Sequence, residues 1–142
     1  MKAHVSVYVS EMARSLDFYT RFFGCEPLKV QPGYAKFELA DPAWVISLVE
    51  QPTRVQSGFG HLGLVVDTAA AVQQWMGDVQ TRGLTIHAVE TQSRCCYALQ
   101  DKFWVQDPDG VQWEVYTFHA DSAWNDPVYE AGVVPPVPAC CE

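Results

Sequence analysis

Residues 4–24, HVSVYVSEMARSLDFYTRFFG, and residues 61–83, HLGLVVDTAAAVQQWMGDVQTRG, follow one plan. Each begins with a histidine. Each continues as an apolar strand pattern and passes a polar residue, Ser10 or Asp67, suited to cap a helix. Each then runs as an amphipathic helix that stops at a glycine. A repeat constrains the fold before any single motif does. It places His4 and His61 at equivalent points of two modules.

The helix expectations rest on spacing. Met12, Leu16, Tyr19 and Phe23 recur at intervals of three or four, as do Val72, Trp75 and Val79. Strand-like runs follow each helix, at 27–30, 34–40 and 44–50, then at 84–91, 101–106 and 111–118. The turn signal Asp107-Pro108-Asp109-Gly110 joins the last two runs as a hairpin. The expected fold class is therefore α+β, two β-α-β-β-β modules over residues 1–50 and 60–118. Residues 51–59 are the linker and residues 119–142 a flexible, Pro- and Ala-rich tail.

Composition narrows the function. The chain has 142 residues, 49% hydrophobic, with a formal net charge of −8. That is enough apolar material for a core and the wrong charge for nucleic acid. No apolar run reaches the roughly 18 residues of a membrane span, so the expectation is a soluble cytoplasmic protein. The five cysteines, Cys25, Cys95, Cys96, Cys140 and Cys141, are odd in number, with two adjacent pairs. They make a poor disulfide framework and are expected as thiols.

Alternation along strands then sorts side chains into faces. Val5, Val7 and Val9 oppose His4, Ser6 and Tyr8. Leu62, Leu64 and Val66 oppose His61, Gly63 and Val65. Trp113, Val115 and Thr117 oppose Gln112, Glu114 and Tyr116. With the apolar faces packed on helices, His4, His61 and Glu114 share the other side. Two imidazoles and a carboxylate suit a site with open coordination positions, of the kind that holds non-heme Fe(II). Gln112 and Tyr116, on the face of Glu114, are candidate hydrogen-bond donors behind those ligands. His87 and His119 are expected to be ordinary surface residues.

These features resemble the vicinal oxygen chelate superfamily of glyoxalases, bleomycin resistance proteins and extradiol dioxygenases. Within it, FYTRFFGCEPLKVQPGYAKFELADP, HLGL and above all CCYALQDKFWVQDPDGVQWEVY resemble the organoarsenical C–As lyases and the cadmium-induced proteins, over residues 4–118. The resemblance implies a cupped, barrel-like mixed sheet. It also implies Fe(II) as cofactor, O2 as co-substrate, and cleavage of the carbon–arsenic bond of substrates such as methylarsenite. Cys95 and Cys96 would hold the arsenic, and His4, His61 and Glu114 the iron. The partner is then a small organoarsenical, and a homodimer is compatible with the superfamily.

The chemistry agrees with that assignment. Trivalent arsenic is soft and prefers thiolate sulfur. Two neighbouring thiols gain from the high effective concentration of the second. Adjacent side chains of a straight strand point apart, so Cys95 and Cys96 need a bend to converge. Arg94 beside them would lower a thiol pKa.

Three alternatives compete. An isomerase of the glyoxalase type needs a fourth protein ligand on the 44–50 strand, where Ser47 or Leu48 stands. An extradiol dioxygenase would leave the two thiols without a task. A non-catalytic protein that sequesters Cd(II) or As(III) would use Cys95 and Cys96 and, in the tail, Cys140 and Cys141.

Overall fold

The computed structural model of the chain describes residues 1–95 and 97–123. The expectations for Cys96, for Cys140 and Cys141 and for most of the tail lie outside them. The chain divides into two compact units. The first is Met1–Gly60 with Asp107–Val111; the second is His61–Gln106 with the residues from Gln112 onward.

In the first unit, β1 (Ala3–Val9) leads through α1 (Met12–Phe23) to β2 (Lys29–Gln31), β3 (Tyr34–Leu39) and β4 (Trp44–Glu50). The sheet order is β1-β4-β3-β2, with β1 parallel to β4 and the other neighbours antiparallel. The second unit repeats the plan with β5 (His61–Val65), α2 (Ala69–Thr81), β6 (Ala88–Cys95), β7 (Ala98–Gln106) and β8 (Gln112–Asp121). Its order is β5-β8-β7-β6, with β5 parallel to β8. The fold is thus α+β, with each half of the repeat a β-α-β-β-β unit. Among the described residues no helix is long and apolar enough to cross a membrane.

Local chemistry explains these elements. The buried stripe of α1 is Ser15, Phe18, Tyr19, Phe22 and Phe23; Tyr19 and Phe23 lie on the track expected from spacing, while its other members, Met12 and Leu16, are half-buried. Two aromatic pairs, Phe18 with Tyr19 and Phe22 with Phe23, one per turn, outweigh Met12 and Leu16. They pack with Phe37 of β3, with ring centroids 5.5 Å apart for Phe23 and Phe37; such pairs contribute about 0.5–1.5 kcal/mol beyond area burial. The helix stops at Gly24, whose φ of +68° suits a residue without a Cβ and whose amide donates to the Thr20 carbonyl at 2.9 Å.

The cap candidates were displaced by one residue. Thr68, not Asp67, caps α2, its hydroxyl accepting from the Ala71 amide at 3.1 Å. Glu11 stands at the start of α1 without a side-chain cap. Ser10 is taken elsewhere: its amide donates to Asp109 Oδ2 at 2.8 Å, and its hydroxyl donates to Asp109 Oδ1. Tyr19 makes a parallel bond from the helix, its hydroxyl donating to Asp107 Oδ2 at 2.8 Å. Within its turn, Asp107 Oδ1 also accepts from the Asp109 and Val111 amides, at 2.9 and 2.8 Å.

Candidate metal and thiol site

Register decides what each strand offers. In the second unit His61 lies opposite Gln112, Gly63 opposite Glu114 and Val65 opposite Tyr116. Across the next ladder, Glu114 faces Trp104 and Tyr116 faces Lys102. Lys102 in turn faces Glu90 on β6. One face of this sheet therefore carries His61, Glu114, Tyr116, Trp104, Lys102 and Glu90, as pairing parity requires.

His61 Nε2 stands 3.2 Å from Glu114 Oε1. The Trp104 ring meets the His61 ring edge to face, with centroids 5.0 Å apart at 84°. On the other side, Lys102 Nζ donates to Glu114 Oε2 at 3.0 Å. Glu114 lies over Gly63, where an added Cβ would come within 2.8 Å of Glu114 Cγ. Burial pushes the Glu114 carboxyl up. The hydrogen bond from His61 and the charge of Lys102 outweigh it and hold the group below its ordinary 4.5. Burial, with the Glu114 charge, raises the Tyr116 phenol above its ordinary 10, so it remains an O–H donor at neutral pH.

Glu90 is buried and bonded twice. It accepts from Ser93 Oγ at 2.7 Å and from Trp104 Nε1 at 2.7 Å. Neither Glu90 nor Lys102 stands out in the sequence, because each looks like a surface charge until pairing turns it inward.

The first unit holds the same arrangement in neutral form. His4 lies opposite Val45 and Ser6 opposite Ser47, while Tyr34 lies opposite Val49. Ser47 thus occupies the register place of Glu114, and Tyr34 that of Lys102. His4 Nε2 is 3.2 Å from Ser47 Oγ, and Tyr34 Oη is 3.1 Å from the same oxygen.

The donors in the second unit fit a divalent ion. Two donors meeting one ion near a right angle at about 2.0–2.2 Å stand about 3 Å apart, close to the His61–Glu114 spacing. Gln112, buried and opposite His61, has an Oε1 with no hydrogen-bond partner among the described residues. Among those residues no three His, Cys, Asp or Glu side chains gather into a metal group; the described pair is His61 with Glu114.

The thiol segment closes a hairpin. β6 ends at Cys95, which pairs with Ala98 at the start of β7, and Tyr97 between them has φ +59°. The chain therefore reverses between β6 and β7. Further down, the ladder shifts register between Glu90 and Ser93.

Comparison with known proteins agrees with this architecture. Residues 3–115 match the model of the Glyoxalase/Bleomycin resistance protein/Dioxygenase superfamily. A "Trivalent organoarsenical cleaving enzyme" of Bacillus sp. (strain MD1) is 39% identical over 114 residues, covering 80% of this chain and 71% of that protein. A protein of the same name from Thermomonospora curvata is 36% identical, covering 85% and 80%. "Cadmium-induced protein CadI" of Mycobacterium tuberculosis is 37% identical, covering 85% and 78%. Among solved structures, a glyoxalase/bleomycin resistance protein/dioxygenase from Alicyclobacillus acidocaldarius superposes with a TM-score of 0.69 at 15% identity, covering 83% of this chain and 91% of that one. The repeat, the strand order and these matches agree: the chain belongs to the glyoxalase/bleomycin resistance protein/dioxygenase superfamily.

Proposed function

We propose that the protein cleaves the carbon–arsenic bond of trivalent organoarsenicals in an Fe(II)- and O2-dependent reaction. His4, His61 and Glu114 would hold the iron, and Cys95 and Cys96 the arsenic. The observation that carries this reading is the His61–Glu114 pair at 3.2 Å, on the sheet whose outer hairpin turns at Cys95. The named relatives support the arsenical as substrate.

Bound iron would supply the one-electron chemistry that lets O2 react with the substrate. The rest falls to the chain. The Cys95 and Cys96 thiols condense with R–As(OH)2, forming two S–As bonds and releasing two waters. They thereby fix the As–C bond in place, which is the proximity contribution. Glu114 remains ionised because His61 and Lys102 stabilise its charge. Trp104 holds the His61 ring at a fixed angle. For a methyl substituent, CH3As(OH)2 and O2 balance to As(OH)3 and formaldehyde, so no further reductant is needed.

An isomerase of the glyoxalase type is disfavoured. The register place equivalent to Glu114 carries Ser47, already bonded to His4 and Tyr34. The name of the mycobacterial relative keeps metal sequestration as a second reading.

The test is anaerobic reconstitution with Fe(II), followed by an assay of arsenite release from methylarsenite with and without O2. Release that requires both, and is lost in Cys95→Ser/Cys96→Ser, is expected. Full release by that double variant overturns thiol capture. Stoichiometric binding of Cd(II) or As(III) without any product would favour sequestration.

A further inference from the structure

Glu114 is held from two sides, and the two restraints leave different oxygens available. Oε2 accepts from Lys102 Nζ at 3.0 Å, and that lysine is 1% exposed. Oε1 faces His61 Nε2. Beneath, Gly63 leaves room that a Cβ would fill, 2.8 Å from Cγ and 3.2 Å from Oε1. The lysine head also lies 5.4 Å from the Trp104 ring centroid and 5.6 Å from that of Tyr116. Two aromatic faces and a carboxylate thus define where its charge sits.

The fold does not require this ion pair. At the same register places in the first unit, Tyr34 and Ser47 make a neutral contact of 3.1 Å. A buried lysine–carboxylate pair is a costly substitute for such a contact, and the best attested reason to keep one is specificity rather than stability.

We propose that Lys102 and Gly63 clamp Glu114 so that it offers a metal ion Oε1 alone, and that Lys102 is thereby a positioning residue which sets the ion selected. This rests on the reading of His61 and Glu114 as metal ligands. A one-oxygen carboxylate beside an imidazole suits a first-row transition ion. Larger, oxygen-seeking ions such as Ca(II) gain from carboxylates that bind through both oxygens. Reserving Oε2 for Lys102 removes that gain.

The experiment uses the full-length apo-protein and Co(II), whose visible absorption bands report coordination number and geometry. Lys102→Met is expected to weaken Co(II) binding about 10- to 100-fold, the usual cost of losing an outer partner of a ligand. It should also shift the Co(II) bands and make Ca(II) an effective competitor. Lys102→Arg should restore the wild-type bands. Gly63→Ala, which disturbs the carboxylate from the other side with Lys102 in place, should weaken Co(II) binding as well and serves if Lys102→Met does not fold. Unchanged Co(II) affinity and bands in Lys102→Met, or in Gly63→Ala where that stands in, overturn the clamp. If His61→Ala and Glu114→Ala leave wild-type Co(II) binding intact, the metal reading itself fails, and the clamp with it.

Discussion

His119 Nε2 lies 3.0 Å from Asp101 Oδ2, joining neighbouring strands of the second unit. The other oxygen of Asp101 accepts from the Gln92 amide at 2.6 Å. Both partners stand at irregularities. Gln92 has φ +52° and lies where β6 shifts register against β7. His119 is the extra residue where pairing passes from Leu99–Ala120 to Gln100–Phe118. Asp101 therefore fixes a bulge on each flanking strand, below the turn that follows Cys95.

Asp101→Ala should accordingly cost about 0.5–1.5 kcal/mol, because the partly buried bond from the Gln92 amide loses its acceptor. His119→Ala, which removes a half-exposed partner, should cost less than about 1 kcal/mol. Denaturant unfolding measures both. Hydrogen exchange at the Gln92 amide should quicken in the first variant and change little in the second.

Glu90 and Trp104 predict an asymmetry. Trp104→Phe leaves Glu90 Oε1 without its 2.7 Å donor, so a loss of about 1–3 kcal/mol is expected. Glu90→Gln keeps an oxygen for the indole N–H and offers an amide to Ser93 Oγ, so it should cost under about 1 kcal/mol. Equal losses in thermal or denaturant unfolding would show that the two hydrogen bonds to Glu90 do not matter in this way.

Asp107 sets a pH dependence. Burial raises its carboxyl above the ordinary 3.8, only partly opposed by the hydrogen bonds from Tyr19, Val111 and Asp109. The folded state therefore binds this proton more tightly than the unfolded chain. Stability from this group is highest below 3.8 and declines as pH rises through the raised value. Asp107→Asn should flatten that decline while keeping Oδ1 as acceptor for the Val111 and Asp109 amides. Denaturation midpoints measured across the acidic range for both proteins check the sign.

His61→Ala and Glu114→Ala should each reduce Fe(II) affinity by more than about 100-fold, since changes behind a ligand alone cost 10–100-fold. Ser47→Ala, at the equivalent place in the first unit, should change it far less. Anaerobic Fe(II) titration measures all three.

Much of the fold was legible because it was written twice. The repeat at His4 and His61, the strand alternation and the turn at 107–110 led to the β-α-β-β-β plan. The face parity of His61 and Glu114 led to their meeting. Other features were hidden for physical reasons. The aromatic stripe of α1 includes Tyr19 and Phe23 from the expected spacing but leaves Met12 and Leu16 only half-buried. The Ser10 hydroxyl found a carboxylate, Asp109, far along the chain. β6 was expected to stop near residue 91 but continues through polar Gln92, Ser93 and Arg94 to Cys95, because Ser93 and Asp101 bond its irregular stretch. His119 is exposed, as expected, but its bond to Asp101 is a pairing that only the shifted register creates. Lys102 looks like a solvated charge until its strand is paired.

The matched registers carry a consequence for how such a molecule can be re-engineered. Strand order and the register around these places match in the two halves, so the step from the hydroxyls of Ser47 and Tyr34 to the ion pair of Glu114 and Lys102 is made by side chains alone. Chemistry here is a removable inlay on a duplicated frame. Swapping tyrosine and serine for lysine and glutamate, with a small residue beneath, is the minimal edit by which one half could be given the character of the other.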